Sequence, residues 1–210
     1  MKQYSIHLLP NATYDTASLE HCPAAEIDCY PWKDAANSFA PKATARLAAL
    51  SDGLCVELFA QEAAPRREVT EQNGPVYLDS CLEFFFNADP QHSKDYLNFE
   101  MNPIGTLHLA IGPERKGRTR LFVENYQTLF RIKPQIYNEQ SWQVRYFIPY
   151  AFLKEYYPQF NPQAGWAMAG NFYKCGDKTP HPHYGCWNEV VWDYPDFHRP
   201  EFFAPLVFAQ

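Results

Sequence analysis

The chain lacks any apolar run long enough to cross a bilayer, so a transmembrane helix is excluded. It lacks a block of basic residues as well. Arg115-Lys116 and Arg118 with Arg120 are short basic runs, and the net charge is −6. A nucleic-acid backbone is therefore not an expected partner. No repeat, low-complexity tract or flexible Gly/Ser linker divides the 210 residues, which favours one domain spanning 1–210. No G-x-S-x-G, H-E-x-x-H, P-loop or dinucleotide fingerprint occurs, so no residue is assigned a catalytic role. The first residues carry Lys2 but no long apolar core and no small-residue cleavage site. A secretory leader is not expected, and the expected location is cytoplasmic. The six cysteines then read as reduced thiols, Cys55 and Cys81 as small core residues within apolar runs.

Aromatic residues and prolines are what the chain has in quantity. Phe, Trp and Tyr make up 17% of it, and 18 prolines with nine glycines imply many short elements joined by turns. The richest stretch runs from Asn171 to Phe203 and contains Trp187, Trp192, Tyr194, Phe197, His181, His183 and His198. Rings on irregular backbone either close one end of a sandwich or build a platform for flat ligands with an apolar face and a polar rim.

Apolar runs separated by turn signals mark strands at 43–50, 54–60, 81–87, 96–102, 106–111, 142–148, 166–173 and 206–208. Ser51-Asp52-Gly53 reads as a hairpin turn, and Pro149–Tyr157 as a short helix with proline in its first turn. The segment from Asn11 to Lys42 reads as irregular. These elements predict an all-β antiparallel sandwich with short helical insertions.

Strand parity places Leu82, Phe84 and Phe86 on one face, and Glu83 on the other. In the next strand Asn98 and Glu100 oppose Leu97, Phe99 and Met101. If the two strands pair, Glu83, Asn98 and Glu100 share a face, which His108 extends. By pattern alone this row reads as a solvated face; the other reading is the floor of a polar-ligand site. Glu83 and Glu100 would also be the carboxyl pair of a glycoside-processing enzyme. Cys175, His181, His183 and Cys186 have a spacing unlike standard structural zinc sites. The adopted reading is a loop packed on its own aromatics, with neither zinc nor a disulfide.

Four blocks carry a resemblance to carbohydrate-binding module family 9 and its DOMON-like relatives. They are Tyr77–Phe85, Tyr96–Asn102 with Gly105, Ile148-Pro149 followed by Gly165–Lys174, and Phe197–Phe203. The resemblance covers about residues 32–208, and the first thirty residues look less typical. It implies a jelly-roll or immunoglobulin-like β-sandwich that binds a mono- or oligosaccharide without chemistry of its own, in carbohydrate metabolism. It places Tyr77 and Phe197 as the rings flanking the sugar, and Glu83 and Asn98 as polar binding positions. Glu100 joins their row, with Trp187 or Trp192 near the rim. Both flanking rings are smaller than the family's tryptophans. Family members often carry structural calcium, whose ligands do not map onto this sequence; no other cofactor is expected. Haem, found in some DOMON-like relatives, would need Met101 and His108, which parity puts on opposite faces. Two alternatives to sugar binding stand: glycoside processing through Glu83 and Glu100, and a structural or oligomer interaction role for the aromatic loops. The sequence does not set the oligomeric state.

Overall fold

A computed structural model describes residues 2–33 and 38–209. Residues 34–37, within the segment read as irregular, lie outside the described residues. The chain is all-β, mostly sheet with few helices; among the described residues the two α-helices, Tyr126–Leu129 and Tyr150–Tyr156, are four and seven residues long.

The strands follow the chain as β1 Tyr4–Leu8, β2 Ala25–Ile27, β3 Lys42–Ala49, β4 Gly53–Gln61 and β5 Cys81–Asn87. Then come β6 Tyr96–Met101, β7 Leu107–Gly112, β8 Thr119–Arg120, β9 Lys133–Tyr137 and β10 Ser141–Pro149. β11 Ala167–Cys175, β12 Tyr184–Cys186 and β13 Ala204–Phe208 complete the set. The strands predicted from alternation are all present, within about three residues at their ends.

Hydrogen bonding runs in the order β8-β7-β6-β5-β11-β13-β1-β3-β4-β10-β9. β1 joins the two halves: Tyr4–Ile6 pair with β13, and His7 and Leu8 pair with β3. Both pairings are parallel, which corrects the purely antiparallel expectation. β1 lies far in sequence from both partners, so no hairpin forces the antiparallel sense. Tyr4 and Ile6 are buried in the main core, so β1 is part of it.

The halves meet across one apolar core, an arrangement consistent with a β-sandwich. Phe84, Phe86, Phe99 and Phe172 come from one side, Leu47, Val56, Val144 and Tyr146 from the other. Phe99 stacks on Tyr146 across the interface with centroids 5.8 Å apart. The predicted turn at 51–53 closes the β3–β4 hairpin, with Leu50 N–H donating to Gly53 O at 2.8 Å. Glycine is required at 53 because a Cβ there would overlap the Phe147 ring and Ile148 O.

Every residue of β5 and β6 is buried, on both faces of the sheet. The inner face meets the core. The outer face is covered by irregular segments, and that cover makes the site.

Candidate ligand-binding site

Register brings the polar row together. Glu83 lies opposite Glu100, Phe85 opposite Asn98, and Glu100 opposite His108. Glu83, Asn98 and Glu100 are 2%, 1% and 4% exposed, so the row is not a solvated face. It floors a cavity of about 500 Å³, to which Tyr77, Arg118, Asp177 and Phe197 also contribute.

The row is wired internally. Asn98 Nδ2 donates to Glu100 Oε1 at 2.9 Å, and Asn98 Oδ1 accepts from Arg118 Nε and Nη2 at 3.1 and 2.7 Å. Arg118 also donates to Tyr96 O at 2.7 Å and Gly112 O at 2.8 Å. Its guanidinium lies 4.0 Å from the Tyr96 ring centroid. A planar fork with several donors suits this crossing of strand and loop.

Burial pushes the Glu83 carboxyl well above its usual range, and Cys175 and Glu100 push it further. Burial also raises Glu100, while His108 and the Asn98 amide pull it back. Like charges facing each other in a low dielectric cannot both ionise freely, which favours the acid form of Glu83. The Cys175 thiol donates to Glu83 Oε1 at 3.0 Å and is itself raised, first by its contact with Cys81 and then by burial.

The walls come from three segments. Tyr77 stands on a 3-10 turn, Val76–Leu78, and is 42% exposed. Buried Asp79 anchors that turn, accepting from Val69 N–H at 2.8 Å and Asn102 Nδ2 at 3.0 Å. Asp177 N–H donates to Tyr77 O at 3.0 Å, tying the turn to the loop after β11. Phe197 stacks on Tyr173 with centroids 4.2 Å apart and planes 12° from parallel. Its neighbour Asp196 forms ion pairs with Arg115 at 3.2 Å and Arg199 at 2.8 Å, which joins the Phe197 segment to the loop carrying Arg118.

Five of the seven residues expected from sequence therefore line one cavity: Tyr77, Glu83, Asn98, Glu100 and Phe197. The two tryptophans do not. Trp187 is 4% exposed and packs on Tyr4 and Phe172. Its backbone N–H donates to Phe172 O, so it continues along β11 with its ring turned inward. Trp192 lies outside the lining, with the Arg199 guanidinium 3.4 Å from its ring centroid. Among the cavity residues that sequence reasoning missed are Arg118, Asp177 and Tyr184. Arg118 read only as part of a short basic run, and no local signal marks it.

The four residues of the Cys175–Cys186 loop pattern do not converge. Cys175 faces Glu83, His183 Nε2 lies 2.7 Å from Lys174 Nζ, and Cys186 Sγ donates to Cys29 O at 3.5 Å. Met101 lies in the core and His108 in the cavity, on opposite faces as parity requires. Among the described residues one group of His, Cys, Asp or Glu has metal-ligand spacing: Cys81, Glu83 and Cys175. Two thiols and one carboxyl differ from the all-oxygen cage that calcium takes, so they do not fit the family's structural calcium.

No curated protein matches the chain. Among solved structures, a Bacteroides uniformis ATCC 8492 protein proposed to bind carbohydrate is similar at 25% identity and TM-score 0.83, over 99% of both chains. A family 9 carbohydrate-binding module from Caldicellulosiruptor kristjanssonii in complex with cellotriose has a TM-score of 0.64 at 11% identity, covering 99% of this chain and 94% of that one. A family 9 module from Caldicellulosiruptor kristjanssonii in complex with glucose likewise has a TM-score of 0.64 at 11% identity, covering 99% of this chain and 95% of that one. The profile of carbohydrate-binding family 9 matches residues 11–208. With nearly its whole length matched, the chain belongs to carbohydrate-binding family 9.

Proposed function

We propose that this protein binds a mono- or oligosaccharide in the cavity above β5 and β6, without chemistry of its own. The observation that carries the reading is the buried row Glu83, Asn98 and Glu100 flooring a space of about 500 Å³. That volume falls within the roughly 300–1,000 Å³ of small-molecule sites. Sugar hydroxyls both donate and accept, so they match a floor holding carboxyls and an amide. Tyr77 and Phe197 offer ring faces to the C–H side of a pyranose. Family membership and the neighbours solved with cellotriose and glucose support the same class of ligand. The jelly-roll, DOMON-like description of the sandwich belongs to this reading as well.

A net hydrogen bond contributes about 0.5–1.5 kcal/mol, more where a charge is involved. Because burial favours the acid form of Glu83, Glu83→Gln is a mild change for sugar binding. Glu83→Leu removes the group and should weaken binding about tenfold or more. Calorimetry with glucose and cello-oligosaccharides on metal-free protein tests this, preceded by a glycan array. Absence of binding across the array, or an unchanged affinity in Glu83→Leu, would reject the site.

A second reading rests on the cross-strand placement of Glu83 opposite Glu100, both with raised carboxyls. Such a pair is the acid/base equipment of glycoside hydrolysis. Turnover of aryl glycosides that is lost in Glu100→Gln would favour it over simple binding.

A further inference from the structure

We propose that Cys81, Glu83 and Cys175 form a binding site for a thiophilic divalent cation, zinc by chemical class, in the floor of the cavity. Cys175 on β11 lies directly opposite Cys81 on β5. Glu83 is two residues along β5 from Cys81, so alternation puts both on the outer, cavity face. The three ligand atoms all lie within 4.8 Å of one another, and Cys175 Sγ is 3.0 Å from Glu83 Oε1. Around tetrahedral zinc, sulfur at about 2.3 Å and oxygen at about 2.0–2.2 Å stand roughly 3.5–4 Å from each other. Closing on an ion asks for side-chain shifts of roughly 1 Å or less, within rotamer adjustment.

The group is otherwise poorly explained. Cys81, Cys175 and Glu83 are 0%, 2% and 2% exposed. Among the described residues no Lys, Arg or His comes within ion-pair distance of Glu83. The Cys175 thiol, a weak donor, is the carboxyl's hydrogen-bond partner. A buried acid with such thin support is stabilised by a proton or by a cation. Thiols and carboxyls ligate a metal in their deprotonated forms, so the protons they carry are displaced by an ion. Binding one divalent ion would release them, forming two metal–thiolate bonds and one metal–carboxylate bond as up to three protons leave for solvent. Soft thiolates select zinc-type ions over calcium or magnesium.

Cys175 and Glu83 line the cavity and Cys81 does not, so the remaining coordination position would open toward the cavity. Water would fill it in the absence of another ligand. The site does not depend on sugar binding. It departs from the expectation that no metal is held, because β-sheet register sets Cys81 beside Cys175 and the spacing of Cys175 to Cys186 does not.

The test uses the full chain, reduced and stripped with chelator, without sugar. Cadmium titration should produce a thiolate-to-metal charge-transfer absorption that saturates at one equivalent per chain, with proton release in weak buffer. Zinc should survive gel filtration at the same ratio by elemental analysis. Cys81→Ser/Cys175→Ser should abolish both signals. Glu83→Gln, which keeps both thiols and the shape of the acid, should weaken zinc at least tenfold. If the double serine variant does not fold, Glu83→Gln and Cys175→Ser alone decide. Absence of the absorption in reduced protein, or equal zinc retention in the serine variants, would overturn the proposal. So would oxidation to a Cys81–Cys175 disulfide with no metal uptake before it.

Discussion

Phe197→Ala separates a platform ring from a core plug. Phe197 lies against Tyr173 with centroids 4.2 Å apart and planes at 12°, and Trp32 is tilted to it at 5.9 Å. Phe197 also lines the cavity. A fully buried Phe→Ala change costs about 3–5 kcal/mol. Phe197 is half-buried, and water can enter from the cavity in place of the lost ring. The loss is then part of the apolar burial plus one stacked pair worth about 0.5–1.5 kcal/mol, together about 2 kcal/mol. The cavity side of the ring should matter more for ligand: loss of the platform should weaken glucose or cellotriose about tenfold. Urea unfolding followed by tryptophan fluorescence gives the stability, and calorimetry on the folded variant gives the affinity. Phe197→Trp should restore binding. A stability loss of about 3–5 kcal/mol with undiminished affinity would refute the platform assignment and make Phe197 a plug.

Arg118→Lys replaces a fork by a point charge and strips Asn98 Oδ1, Tyr96 O and Gly112 O of donors, so about 1.5–3 kcal/mol should be lost in urea melts, with weaker sugar binding. Unchanged values in both would show that Arg118 does not hold the row. Lys174→Met leaves Glu62, buried and paired to Lys174 Nζ at 3.0 Å, without its cation. Burial pushes the Glu62 carboxyl up, and Lys174 and His183 outweigh it, so the carboxyl sits below its usual range. Denaturation should show a loss of about 3–5 kcal/mol, partly recovered by adding Glu62→Gln; a loss under about 0.5 kcal/mol would contradict this. Burial, then Arg118 and Arg115, depress the His198 imidazole to about 3. The unfolded chain takes up that proton below about 6.5, so stability should fall from pH 6.5 toward 3, by at most about 1.4 kcal/mol per unit. Glu83 and Glu100, raised when folded, act with the opposite sign, so the His198 part is read as the change in slope in His198→Asn; no change in slope would count against it.

Much of the fold was legible because strand formation is local. β5 and β6 were read almost to the residue, since their alternation is unbroken and turn signals bound them. β1 was not seen as part of the core. Five residues carry little pattern, and their partners β13 and β3 lie far along the chain. The aromatic third was legible as a site-building region but not ring by ring. Phe197 reached the cavity while Trp187 turned into the core, and the same composition served both.

By itself, then, the sequence determined which side chains share a strand face: Glu83 apart from Phe84, and Asn98 with Glu100 apart from Phe99. Backbone geometry enforces that alternation whatever the surroundings. It also determined the family, through blocks whose order and spacing survive divergence. Tertiary structure alone decided that the polar row is buried, because the segments that roof it come from residues 77, 115–120 and 195–198. It alone decided that Asn98 is held by Arg118 and that Cys81 lies opposite Cys175. Those contacts join distant parts of the chain, and no local propensity records which strand will lie beside which.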